Sequence, residues 1–439
     1  MKPIRWIILV GMAVMLAACG SDHEDAPPSA PEATGVLVGG TGPLPGTISG
    51  IRYVAGDLQG FTDSQGRFQY RLGQKVVFSI GDLQFQPVDG AALVSPFQLA
   101  NGSGCATGVA LDRVLQVLLS LDADGNSDNG LAFAEVVSHS PPRAVDALSP
   151  AEIDAAVQAA RPGAATVGAD AARDRFIRQV DDEAWARDSV TDFPFFDGVL
   201  RSQGIATDGS HWYFSARVYL ERTTLDYKVE VGNDVPIPDM VARAGGNHIG
   251  DIDVDQGLLY VAIEDGPAFL HPYIVTFDTT TLQPTGKTYL LPQELHTKGV
   301  PWVAVDGPRH AVYTAEWSPT QRLNVFDRDH ELAFVKTIEL TPAIGRVQGA
   351  KVFGGALYAS SDNDAKTTYK IDLDTGTVIR LFTLDTPTSE AEGLALTADA
   401  NGVYAHVLNI TLPKFQLEHW KRTRTPLRDQ LCAAGDQQS

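Results

Sequence analysis

The sequence predicts a mainly β protein made of a small sandwich-like β unit, a helical segment and a long repetitive β region. Three observations carry this reading. Residues 35–108 alternate short apolar runs with glycine-rich turns. Residues 109–190 switch to helical spacing. From residue 193 to 425 a turn–tyrosine–alanine unit returns five times. The chain has 439 residues, more than one core normally serves, so two or more domains are expected.

In the first unit, "GTISGIRYVAGDLQGFTDSQGRFQYRLGQKVVFSIGDLQF" reads as strands separated by Gly-Asp, Ser-Gln-Gly and Leu-Gly turns. Gly60-Phe61-Thr62-Asp63 followed by Gly66-Arg67-Phe68 resembles the signature of carboxypeptidase-regulatory-like (prealbumin-like) β-sandwiches. That resemblance implies a structural module with no active site.

The helical segment opens with Val109, Leu111, Val114, Leu115, Leu118 and Leu119, one apolar face. Ser149-Pro150-Ala151-Glu152 is a start signal, with Ser149 as cap, Pro150 in the first turn and Glu152 closing a capping box. That helix is expected to stop at Pro162-Gly163. Another is expected from about Ala169 to Arg187. These helices are expected to pack on the sandwich or to bridge it to the repeats.

In the repeats, a Gly turn precedes Tyr213, Tyr260, Tyr313, Tyr358 and Tyr404, with gaps of 47, 53, 45 and 46 residues. An alanine follows each tyrosine: Ala216, Ala262, Ala315, Ala359 and Ala405. The middle units share an outer strand that ends at Asp278, Asp327 or Asp372. A period near 45 with four short strands per unit predicts a β-propeller. Five blades are expected, six if a degenerate one is counted. A strand near Phe195 to Leu200 is expected to complete the last blade and remove the open edge. In general pattern the repeats resemble bacterial NHL/lactonase-like or quinoprotein-like propellers.

In such a ring, the start of each inner strand and the end of the second strand share one face. That rule gathers His248, Asp251, Glu264, Asp265, Trp302, Glu316, Gln348, Asp362, Asn363, Glu390 and Glu392 at one channel mouth, while plain Asp-Gly and Gly-Gly turns fill the other. Loops on one face of a rigid scaffold are where binding sites are built. Two readings stand: an acidic binding site, or solvated loop ends. His248 is a candidate general base or a hydrogen-bonding partner in the mouth.

Clustered carboxylates would be relieved by Ca²⁺ or another divalent cation. The lactonase resemblance implies a metal at the central mouth, with Glu392 and Asp362-Asn363 as the closest analogues here; Asp251 and Glu264 join Asp362 and Glu392 as candidate metal ligands. A second acidic stretch, Asp122, Asp124, Asn126 and Asp128, alternates as Ca²⁺ ligands do, but its glycine is misplaced and no glutamate closes it. It reads first as a polar turn ending a helix. No G-x-S-x-G, HExxH or phosphate-binding glycine loop occurs, and no catalytic residue is assigned. The expected function is ligand or partner binding at the mouth. The alternative is a metal-dependent hydrolase, lactonase- or phosphoesterase-like, using the same mouth.

The N-terminus sets the expected location. Lys2 and Arg5 precede an apolar run from Trp6 to Ala18, shorter than the ~20 residues a spanning helix needs. Leu16-Ala17-Ala18-Cys19 resembles a bacterial lipobox, which implies removal of residues 1–18 and acylation of Cys19. Gly20 after it implies sorting to the outer membrane, and residues 19–34 form a Pro- and acid-rich tether. With 34 basic and 54 acidic residues the net charge is −20, which argues against nucleic acid as a partner. Two further cysteines, Cys105 and Cys432, sit in a compartment that permits disulfides, and a bond between them is expected.

Overall fold

The computed structural model describes residues 30–39, 46–102, 108–126, 130–134, 140–384, 386, 388–429 and 431. The lipobox, Cys19, Cys105, Cys432 and Asp128 lie outside them. Among the described residues no helix is long and apolar enough to cross a membrane.

The N-terminal unit has a three-stranded sheet, a second sheet built on Lys75–Ile80 and Arg52–Ala55, and a two-stranded pair. The connection from Leu58–Phe61 to Arg67–Arg71, which crosses from one sheet to the other, turns at Asp63, whose carboxylate accepts from the backbone N–H of Gln65 and Arg67. Helices Pro96–Asn101, Val109–Leu121, Pro150–Ala160 and Ala169–Val180 bury Phe97, Leu115, Ile153 and Phe176 in the same core as Phe68 and Phe78. The helical segment is therefore part of this unit. Ser149 and Glu152 form the expected capping box.

The repeats form five four-stranded sheets, and all five are blades of one ring. Inner to outer, blade 1 is Gly204–Thr207, Trp212–Ala216, Tyr219–Thr223 and Val229–Asn233. Blade 2 is His248–Asp255, Leu258–Glu264, Tyr273–Asp278 and Pro284–Leu290. Blade 3 is Ala304–Asp306, Ala311–Thr314, Thr320–Asp327 and Ala333–Ile344. Blade 4 is Val347–Phe353, Ala356–Ser361, Thr367–Asp372 and Val378–Thr383. Blade 5 is Glu390–Asp399, Gly402–Thr411, Lys414–Arg424 and, from the far end of the region, Ala184–Phe193.

The five repeat tyrosines occupy one position in the second strands, opposite Ala206, Asp253, Ala304, Lys351 and Thr397 of the inner strands. The Gln256-Gly257 hairpin turn has positive φ at both residues, 48° and 78°, as a two-residue turn between right-twisted strands requires.

The closing strand differs from expectation. Phe195–Val199 is a short helix, and Ala184–Phe193 supplies the strand instead, pairing antiparallel with Lys414–Arg424. The preceding helix ends at Val180, so its expected extension to Arg187 is corrected too. The reason is visible in "EAWARDSVTDF": Trp185, Val190 and Phe193 interleave with polar residues along an edge strand, and the helical face stops at Phe176, Ile177 and Val180.

Between the units lies a buried charge network. Glu183 accepts from Tyr358 Oη at 2.9 Å and pairs with Lys370 Nζ at 3.0 Å. Arg428 Nη1 meets Asp372 Oδ2 at 2.9 Å, and Arg178 donates to the carbonyls of Val378 and Thr341. Ile379 of blade 4 and Leu431 of the tail enter the N-terminal core.

Candidate functional site

Four inner strands carry glycine where the ring is tightest. A Cβ on Gly204 would lie 2.7 Å from Asp251 Cα, one on Gly250 2.0 Å from Pro301 O, one on Gly349 2.7 Å from Leu394 N, and one on Gly393 2.7 Å from Gly204 Cα. Each of these clashes is with the next blade, three with its inner strand and the fourth, at Pro301, with the segment that leads into it. Backbone bonds follow the same contacts, Asp251 N–H to Pro301 O at 2.8 Å and Gly393 N–H to Gln203 O at 2.8 Å. The glycines therefore let five blades close onto one another at a narrow neck.

Below the neck the axis is filled by charge. Asp251 is fully buried. Its Oδ1 accepts from Ile205 N–H of blade 1 at 2.9 Å, and its Oδ2 from Ala350 N–H at 3.1 Å and Lys351 Nζ at 2.6 Å, both of blade 4. Two residues on, Asp253 Oδ2 accepts from Val305 N–H of blade 3 at 2.8 Å. Burial pushes both carboxyls up, against the pull of Lys351; Asp253 reaches about 6. Asp251 was expected in the mouth. It is instead a cross-axis tie, because its strand bulges between Ile249 and Ile252 and turns the side chain inward.

Above the neck is the mouth. His248 Nδ1 lies 3.0 Å from Glu264 Oε1, and its Nε2 2.7 Å from Gln203 Oε1. Glu264 Oε2 accepts from Val300 N–H at 2.8 Å. Neither ring nitrogen is left open to a substrate, so His248 serves as a hydrogen-bonding partner. Asp265 organises its own loop, accepting from Leu270 N–H, His271 N–H and His271 Nδ1; against burial, these bonds lower its pKa. Asp362 pairs with Lys366 Nζ at 2.6 Å.

Glu390 and Glu392 differ. Among the described residues neither has a basic partner. Glu390 is exposed. Glu392 is 4% exposed and receives one side-chain hydrogen bond, from Gln348 Nε2 at 3.2 Å. Burial raises its pKa well above the ordinary carboxylate value, and the charges of Glu390 and Asp362 add to the rise.

The remaining expected residues are elsewhere or otherwise occupied. Trp302 is fully buried among apolar side chains of blades 3 and 4. Glu316 accepts from Thr297 Oγ1 at 2.5 Å. Asn363 caps its turn through Ala365 and Thr367 N–H and donates to Tyr369 Oη.

The expected metal set does not converge. Among the described residues no three His, Cys, Asp or Glu side chains are grouped to hold an ion. Asp251, Glu264 and Asp362 are each committed to a base, Lys351, His248 and Lys366. In the other acidic stretch, Asp122 Oδ1 accepts from Ala132 N–H and Asp124 Oδ1 from Asn126 N–H, which is a turn at the end of a helix. Among the described residues neither set gathers ligands for a divalent cation.

Sequence reasoning missed Gln203, Asp253 and Lys351. For Gln203 a signal was present: like Gln348 and Glu392 it precedes a glycine in the same position of its blade. It also missed a histidine pair in blade 5. His406 Nδ1 and His419 Nδ1 are 2.7 Å apart, while Thr397 and Thr191 hold the two Nε2 atoms at 2.8 and 2.9 Å. Thr191 belongs to the closing strand.

The fold and site define a five-bladed propeller with a blocked axis and an acidic mouth. No family model and no curated protein matches the sequence. Solved structures do show similarity. A chain of a nidogen/laminin complex matches at 18% identity and a TM-score of 0.32, over 44% of this chain and 66% of that one, so this chain spans just under two thirds of it. A gluconolactonase from Xanthomonas campestris matches at 13% identity and a TM-score of 0.34, over 50% of this chain and 71% of that one. At those scores neither bears on the chemistry of the mouth.

Proposed function

We propose that this is a non-enzymatic binding protein, held at the outer membrane through an acylated Cys19, whose propeller mouth receives a cationic group at Glu390 and Glu392. One observation carries the reading. Glu392 is a buried carboxyl with no basic partner among the described residues, in a mouth where Glu264 and Asp265 each pair with a histidine and Asp362 with a lysine. Burying a charge is costly unless it is paired, so an arriving ammonium or guanidinium would gain the pairing that the protein omits. The hydrolase alternative draws no support from the described geometry, because three of its four expected metal ligands, Asp251, Glu264 and Asp362, are paired with internal bases.

The test is thermal denaturation of residues 20–439 with argininamide, with lysinamide and with Ca²⁺. The amides should raise the melting temperature, and Glu392→Gln should remove the rise while keeping the Gln348 bond. Hydrolysis of lactone and phosphoester substrates should stay at background. No rise with either amide, or a rise that survives Glu392→Gln, would overturn the proposal.

A further inference from the structure

The apolar surface of the propeller is unevenly distributed. Among the described residues, fifteen large apolar side chains of the propeller are exposed, and ten of them stand on loops or strand ends at the mouth face. Phe196 and Val235 are each 82% exposed and Leu412 75%; Met240 and Leu270 exceed one half. On the opposite face the exposed ones are Leu225 and, at the starts of outer strands, Val229, Phe334 and Val335. Antiparallel pairing fixes this sorting, because the end of each second and fourth strand returns to the face where the inner strand begins.

The apolar tips run as an arc from blade 5 (Phe195, Phe196, Leu412) across blade 1 into blade 2 (Val235, Met240, Leu270). Glu390 and Glu392 lie on blade 5 at one end of the arc. The described residues of the N-terminal unit do not cover this face. Its contacts with the ring run through Asp372 and Val378, which flank a turn at the opposite end of blade 4.

We infer that the mouth docks a protein segment in which a basic side chain is flanked by apolar ones, the base entering at Glu390 and Glu392 and the apolar residues covering the arc. This rests on the cation-receiving mouth proposed above and names its partner class. A small amine would pair with the acids and leave the arc bare. An anionic lipid surface would cover the arc but meet the carboxylates of Glu390, Asp364 and Asp239. Only an amphiphilic cationic segment satisfies both. Exposed apolar area of this kind, with aromatic and Met side chains, is what interface centres are enriched in.

The experiment is an array of immobilised octapeptides. Each has Arg or Gln at the centre and Leu/Phe or Ser on both flanks, probed with labelled residues 20–439. Peptides with Arg and apolar flanks should bind about tenfold or more tightly than those with either feature alone, a difference of about 1.4 kcal/mol per tenfold. Glu392→Gln should erase the preference for Arg. Phe196→Ser combined with Leu412→Ser should erase the preference for apolar flanks at an unchanged melting temperature, since both side chains are exposed. Equal binding across the array would overturn the inference. So would binding that follows the flanks but ignores Arg, which, with no amide-induced stabilisation, marks failure of the cation reading itself. Flotation with phosphatidylcholine/phosphatidylethanolamine vesicles that is lost in the double variant, without peptide binding, would assign the arc to a membrane and overturn the inference as well.

Discussion

Lys351 of blade 4 and Asp251 of blade 2 meet on the propeller axis at 2.6 Å, both buried. With the N–H groups of Ile205 and Ala350 on the same carboxylate, this pair joins three blades at one point. Lys351→Met leaves Asp251 buried without its base, and should lower stability by about 3–5 kcal/mol. Asp251→Asn together with Lys351→Met should recover part of that loss, because the uncompensated charge is gone. Urea unfolding of the three proteins checks both statements. A single variant as stable as the wild type would refute the tie.

Asp253 makes stability depend on pH in an unusual direction. Its folded pKa, about 6, lies above the ordinary value of 3.8 because burial disfavours the anion. Between those values the folded state holds more protons than the unfolded one, so this group's contribution falls as pH rises from about 4 to 6 and stays lost above. Asp253→Asn keeps an acceptor for Val305 N–H and removes the ionisation. It should be more stable than wild type at pH 7–8, by about 1–3 kcal/mol, and equal to it near pH 3.5. Melting curves across that range measure the gap; a gap that grows toward acid would be the wrong sign.

The His406–His419 pair acts in the opposite sense. Burial holds His406 down to about 3, and His419 is lowered as well, also chiefly by burial. The unfolded chain therefore takes up protons first as pH falls below about 6.5, and stability is lost from there downward. Two neutral rings at 2.7 Å share one proton, and a second would set like charges together beside Thr191 of the closing strand. His406→Gln should reduce the loss of stability between pH 6.5 and 4. Hydrogen exchange of residues 184–193 over the same range should show the closing strand opening earlier in wild type than in the variant.

Cys105 and Cys432 are proposed to be bonded. Leu431 is buried in the N-terminal core, and its carbonyl accepts from Gln98 Nε2 at 2.8 Å, which brings the stretch before Cys432 to the helix that leads toward Cys105. Closing a loop of more than 300 residues would stabilise by ~5 kcal/mol at most in chain-entropy terms. Thiol counting in denaturant before and after reduction should give none and then both. Two reactive thiols in the unreduced protein would exclude the bond.

Acylation of Cys19 is checked by labelling cells with a fatty-acid analogue. The label should appear on the protein and vanish with Cys19→Ala. Outer-membrane sorting, which rests on Gly20, is checked by separating the two membranes on a density gradient.

How much of this was legible in the sequence follows from what each residue type must do. The five blades were visible because the repeat tyrosine faces a core in four of the five units, and a core position tolerates few residue types. The closing strand was not, because an edge strand exposed on one side carries Arg187, Asp188 and Ser189 and looks like linker. At the mouth the acids were found but not their partners. Lys351 is a hundred residues from Asp251, and no local pattern announces a lysine that points inward. Glu392 stands apart for the same reason reversed: nothing in "EAEGL" says that no base arrives.

Blade 5 takes its outermost strand from Ala184–Phe193 and its other three from residues 390–424. During synthesis that first strand leaves the ribosome long before any partner exists, and it must wait through four blades. Until Lys414–Arg424 emerges, the growing ring has two raw edges, each open to strands of other chains. Loss of even the last dozen strand residues would therefore leave a chain that can make every blade but one and still be an aggregation hazard.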